Sequence, residues 1–114
     1  MKEYQLQIKL IEFLKSKKLS RMRYFHVPNQ GIRSFKYNTL LKRMGLKSGC
    51  PDLILEFSNG RIVYIELKSS KGTLSRNQRI WQNVSKTLKT PHFVLKGSFL
   101  DVQKKLNEII TKFY

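Results

Sequence analysis

Two acids and an amine, Asp52, Glu66 and Lys68, fall within one short stretch of this chain. Residues 49–68 read as two strands joined at Ser58-Asn59-Gly60, where Asn-Gly is the strongest short hairpin signal. Side chains alternate faces along a strand. In the second strand Val63, Ile65 and Leu67 therefore face one way, and Tyr64, Glu66 and Lys68 the other. Asp52 opens the first strand after Pro51, and antiparallel pairing across the turn brings it towards Glu66. Two carboxylates on a mostly apolar hairpin are costly to bury alone, and a divalent cation would neutralise them. Such a cation lowers the pKa of bound water and holds a phosphate oxygen, as phosphodiester hydrolysis requires. For Mg²⁺ or Mn²⁺, Asp52 and Glu66 suffice as side-chain ligands, with the Leu67 backbone carbonyl as a third oxygen. Lys68 beside them can orient the attacking water or stabilise developing charge. The plain alternative is an exposed Glu66–Lys68 ion pair on a solvated sheet face. Gly49-Cys50-Pro51-Asp52, with its acid fourteen residues before Glu66 in a strongly basic chain, tips the reading towards a site.

The elements that must position these groups are legible from periodicity. Residues 3 to about 19 form a helix on Leu6, Leu10, Phe13 and Leu14, with Glu3 and Gln7 on the Leu10 face. Glu3 can thus point towards a site, or simply sit at a helix N-terminus where the dipole favours an acid. A basic hinge, residues 15–23, leads to a short strand near Tyr24–Val27, and Pro28-Asn29-Gln30-Gly31 reads as a turn. Ser34 caps a helix that runs to Met44 and stops at Gly45. After the hairpin, Ser75 and Gln78 match a capping box. Ile80, Trp81, Val84 and Leu88 then mark a helix packing one face on the sheet. His92–Lys96 is a last strand, and Val102, Leu106, Ile109, Ile110 and Phe113 define a final amphipathic helix. The order predicts a mixed α/β layer with helices flanking a small sheet. At 114 residues, with no repeat, linker or low-complexity tract, the chain reads as one domain over 1–114.

The chain carries 23 Lys and Arg against 7 Asp and Glu, a net charge of +16, and so favours a polyanionic partner, nucleic acid first. Around the glycine turns, Arg33, Lys36, Lys42, Arg43 and Lys47 suit phosphate contacts, and Asn29, Lys71 and Arg76 join them as candidate DNA contacts. A surface helix in any basic protein would carry similar lysines. No apolar run approaches a membrane span and the N-terminus lacks a signal-peptide core, so no membrane partner is expected. The lone Cys50 cannot form an intrachain disulfide and suits a reducing cytoplasm. With one Cys and two His, a structural zinc site is not expected. Of the seven acids, Glu12, Glu56, Asp101 and Glu108 read as ordinary solvated positions.

Pro51-Asp52 followed by Glu66-Leu67-Lys68 resembles the PD-(D/E)xK nuclease signature. More specifically, the chain resembles the stand-alone virus-type replication-repair nucleases, the VRR-NUC family. The likeness lies in His26-Val27-Pro28-Asn29 with Gly31 and Arg33, in Leu41–Gly45 and Gly49–Leu53, in Ile65–Lys68, and in Gly72–Ser75 with Gln78. It spans Glu3 to at least Val94. The resemblance implies a restriction-endonuclease-like αβββαβ core, dependence on Mg²⁺ or Mn²⁺, and endonuclease activity on DNA. It further implies homodimers acting on branched DNA such as four-way junctions. Asp52 and Glu66 would then be metal ligands, Lys68 the catalytic lysine, Glu3 the first-helix acid and a further metal ligand, and Gln78 the motif glutamine near the active site. His26 matches a family motif, although a strand-end histidine is more often structural. Minimal size and a composition rich in lysine, isoleucine and asparagine suit a phage or prophage gene. Two other readings remain. One is a non-catalytic basic nucleic-acid-binding domain, which needs no arrangement of Asp52, Glu66 and Lys68. The other is the same nuclease put to exonuclease or restriction-like use.

Overall fold

Leu6, Leu10 and Leu14 recur at every fourth position and are all buried, which fixes how the first helix, α1 (Glu3–Lys17), lies on the sheet. A computed structural model of the protein describes residues 1–28 and 34–114. After α1 come β1 (Met22–Phe25), α2 (Phe35–Arg43), β2 (Leu53–Phe57), β3 (Ile62–Lys68), α3 (Arg76–Thr87), β4 (His92–Lys96) and α4 (Phe99–Phe113). The four strands run in the order β1-β2-β3-β4, the first two pairings antiparallel and the β3–β4 pairing parallel. This is the expected mixed α/β sheet flanked by helices.

The two faces of the sheet follow from strand alternation. Leu53, Leu55 and Phe57 of β2 and Val63, Ile65 and Leu67 of β3 turn one way, into a core closed by α1 and by Val102, Leu106, Ile109 and Ile110 of α4. Tyr64, Glu66 and Lys68 turn the other way, towards α3, where Trp81 meets the Tyr64 ring edge-on at 5.7 Å. The link between β2 and β3 is the expected turn at Ser58–Gly60. Asn59 (φ 68°) and Gly60 (φ 71°) both lie in the left-handed region, and the Phe57 N–H donates to the Arg61 carbonyl.

Three expectations are corrected. The first helix ends at Lys17, not near residue 19, because Lys18 turns left-handed (φ 50°) and caps it. The first strand lies at Met22–Phe25, not Tyr24–Val27, and so leaves His26 and Val27 outside the ladder. Met22 and Tyr24 face the core, and Arg23 pairs across the sheet with Glu56. The α3 face on the sheet is also different. Ser85 is buried and Trp81 and Gln78 half-buried, whereas Ile80, Val84 and Leu88 are exposed. Gln78, Trp81 and Ser85 share the helix face that Glu66 and Tyr64 contact, and the aliphatic row lies round the helix from it. The turn expected at residues 28–31 falls largely outside the described residues.

Candidate active site

The β2–β3 register ends at Leu53 opposite Ile65, which sets Asp52 beside the Glu66–Leu67 step. The Leu67 N–H donates to Asp52 Oδ2 at 2.7 Å, so the backbone of β3 itself orients this carboxylate. Glu66 is only 2% exposed and Lys68 9%. The exposed surface ion pair is therefore not what forms here. Gln78 Nε2 donates to Glu66 Oε1 at 2.8 Å, while the other oxygen, Oε2, is buried with no hydrogen-bond partner among the described residues. Burial first, then the adjoining Asp52 carboxylate, push the Glu66 carboxyl up to about 8. Lys68 pulls the other way, and Glu3 adds a smaller upward push.

Gln78 fills two roles at once. Its Oε1 accepts from the Ser75 N–H at 2.8 Å and its own N–H donates to Ser75 Oγ at 3.2 Å, the reciprocal capping box expected at the start of α3. Those bonds fix which way the amide points and aim its NH₂ at Glu66. The loop before β2 is held to the same helix end. Gly49 (φ +86°) lies so close to α3 that a Cβ there would meet the Asn77 carbonyl oxygen at 2.4 Å, and Asn77 Nδ2 donates to Ser48 Oγ at 2.8 Å. Gly49 and Asn77 thereby set Asp52 against Gln78 and Glu66. Sequence reasoning quoted Gly49 as part of the Asp52 motif and Asn77 only within the capping-box stretch, and gave neither this packing role.

His26 follows β1, and its Nδ1 sits 2.6 Å from the Asp52 carbonyl oxygen. A carbonyl only accepts, so Nδ1–H is the donor of this pair. Cys50 is half-buried near the acids. Burial, then the charges of Glu66 and Asp52, push its thiol up, which keeps it an unreactive thiol. Gly72 backs onto Lys68, where a Cβ would lie 3.4 Å from Lys68 Cδ.

The donor set fits a hard cation. Among the described residues no three Asp, Glu, His or Cys side chains are arranged to hold an ion by themselves. Two carboxylates, a backbone oxygen and water make the kind of shell that Mg²⁺ takes, and the unpartnered Glu66 Oε2 is an acceptor in want of a positive partner. Glu3 is half-buried and lines a groove that also reaches Asp52. Lys36, Lys42 and Arg43 lie exposed on α2, Lys47 in the loop after it, Lys71 in the β3–α3 loop, and Arg76 is the first residue of α3. Asn29 and Arg33 lie outside the described residues. Among the described residues no helix is long and apolar enough to cross a membrane.

The family model described as "VRR-NUC domain" matches residues 1–99. A solved structure described as a "VRR_NUC domain protein" superposes with a TM-score of 0.76 at 21% identity, covering 97% of this chain and 89% of that one. A second, described as "VRR_NUC domain", gives 0.60 at 20% identity over 98% and 97%. At such identities the likeness is one of fold. No curated protein matches significantly.

Proposed function

We propose, from the premise that this chain belongs to the VRR-NUC family of nucleases, that it is a divalent-metal-dependent DNA endonuclease acting through Asp52, Glu66 and Lys68. The observation that carries the reading is the Glu66 carboxylate. It is buried beside a second acid, one oxygen has no hydrogen-bond partner among the described residues, and burial with Asp52 pushes the carboxyl up to about 8. A buried acid so placed is destabilising when ionised unless a cation joins it. Asp52, Glu66 and the Leu67 carbonyl would hold Mg²⁺ or Mn²⁺, with Glu3 as a further ligand. The bound ion would lower the pKa of water and neutralise phosphoryl oxygens.

The protein's own groups supply the rest. The Leu67 N–H fixes one acid and the Gln78 amide the other, so neither must reorganise when a phosphate arrives. Lys68, on the same strand face, orients the attacking water and offsets charge on the phosphoryl oxygens. The net charge of +16 draws DNA to the protein, with Lys36, Lys42, Arg43, Lys47, Lys71 and Arg76 as phosphate contacts. Residues 1–114 form one nuclease domain in this reading. One site cuts one strand, so symmetric cutting of a four-way junction calls for a two-fold homodimer. The substrate is branched DNA, in phage or prophage replication, recombination or repair inside the host cytoplasm.

The test is cleavage of labelled four-way junction, linear duplex and single-stranded DNA with Mg²⁺, Mn²⁺ or EDTA, using wild type and Lys68→Ala. Metal-dependent nicking of the junction, lost in the variant, is the expected result. Equal cutting of all three DNAs would remove the branched-DNA preference and keep the chemistry. Binding without cutting in either metal would leave only a basic binding domain.

A further inference from the structure

Beside the candidate site a groove of about 410 Å³ runs along α1, within the usual range for a small-molecule pocket. Its wall is a second stripe of α1, Tyr4, Ile8, Ile11 and Lys15, spaced i, i+4, i+7 and i+11. The helix has already met its core obligation with Leu6, Leu10 and Leu14. Tyr4 is nonetheless 59% exposed and Ile8 53%. At the rise of an α-helix this stripe runs about 16 Å, and the groove reaches Asp52 and His26.

The charge pattern says what fits. Glu3, Glu12 and Asp52 all line the groove, three of the chain's seven acids, against Lys15. Elsewhere the protein is overwhelmingly basic. Carboxylates repel a phosphate and accept hydrogen bonds from the exocyclic amino groups of bases. An exposed tyrosine and isoleucine offer a flat apolar surface, and every base has a π-face to stack on it.

We infer that the α1 groove is a nucleobase subsite: it receives an unpaired base of the strand whose phosphate lies at Asp52, stacked on Tyr4 and Ile8. The inference rests on the reading of Asp52 and Glu66 as a nuclease site on DNA, and deepens it. A duplex keeps its bases stacked and cannot fill the groove. A flap supplies an unpaired base without the unstacking penalty, so the groove favours DNA with a single-stranded arm over linear duplex.

The test is affinity, measured by fluorescence anisotropy with Ca²⁺ available to the Asp52–Glu66 carboxylates and the probe checked to be intact afterwards. The probe is a labelled flap duplex whose unpaired arm carries cytosines, compared with the same flap carrying base-less tetrahydrofuran residues. The backbone charge is identical in both. Wild type should bind the base-bearing arm about tenfold more tightly, the usual scale of one stacked base. Tyr4→Phe should keep that preference, and Tyr4→Ala should bind both arms alike with unchanged thermal melting. The inference is overturned if wild type shows no preference, or if the preference survives Tyr4→Ala. Cutting of the cytosine flap with Mn²⁺ scores the nuclease reading separately. A Tyr4-dependent preference without cutting would keep the base subsite and remove the nuclease.

Discussion

The two faces of β3 both carry buried side chains and do opposite things with that burial. On one face Val63, Ile65 and Leu67 are almost fully buried in a leucine-rich core against α1 and α4. Each apolar group there gains by leaving water. On the other face Glu66 is 2% exposed and Lys68 9%, under α3. An ionised carboxylate loses its hydration there, and the Gln78 amide returns one hydrogen bond. The first face holds the fold together. The second is tolerated because the first is strong, and the proposed nuclease reading gives it a chemical use.

That contrast can be broken from either side. The largest effect belongs to the polar face. Under the proposed function, Glu66→Gln or Asp52→Asn should lower DNA cleavage about a thousandfold or more, because each removes a charge that would hold the cation. Initial rates under saturating Mg²⁺ check it, and a loss below tenfold would displace these residues from the chemistry. On the apolar face, Ile65→Ala should cost about 3 kcal/mol of unfolding free energy by denaturant titration. Its folded fraction should keep nearly wild-type cleavage.

The stability of the metal-free protein should depend on pH in a set direction. The folded Glu66 keeps its proton up to about pH 8, whereas the ordinary carboxylate value is 4.5. Between those values the folded state holds a proton that the unfolded state has lost. This contribution therefore falls as pH rises from about 4.5 to about 8 and is flat above. Glu66→Gln, neutral throughout, should melt progressively higher than wild type over that window in EDTA. A constant difference in melting temperature would contradict the shift.

Gln78→Ala should act more mildly on both faces of the comparison. Losing the capping box should cost about 1 kcal/mol. Losing the bond that orients Glu66 should weaken metal binding ten- to hundredfold, roughly the range for groups that orient ligands. The smallest effect belongs to the exposed row of α3. Val84→Ser should change stability by less than about 0.5 kcal/mol, whereas the same row buried on the sheet would have cost several times more.

Much of this was legible in the sequence, for physical reasons that differ by element. The hairpin was plain because Asn59-Gly60 dictates the turn and period-two alternation dictates the faces of β3. The α4 stripe at Val102, Leu106, Ile109 and Ile110 was equally plain, since all four residues are buried. The α3 face was misread because hydrophobicity was taken as the guide to burial. There the face is chosen by what the sheet presents, an acid that needs the Gln78 amide and a Tyr64 ring that meets Trp81. The strand at Met22–Phe25 slipped by two residues because its inward positions, Met22 and Tyr24, are no more apolar than the Phe25 and Val27 that follow. The close approach of Gly49 to Asn77 and the orientation of Asp52 by the Leu67 N–H depend on contacts distant in sequence, which spacing cannot show. Gln78 was read as either a cap or a site residue, and its two amide ends reach both partners.

The central claim is that the buried Glu66 pocket is a cation site. It is tested most directly by titrating Mn²⁺ into wild type and Glu66→Gln by calorimetry at pH 7, in buffers of different ionisation enthalpy. Wild type should bind with release of about one proton, the one Glu66 holds before the ion displaces it, and Glu66→Gln should bind far more weakly with none released. Equal affinity and equal proton release in the two proteins would contradict the account.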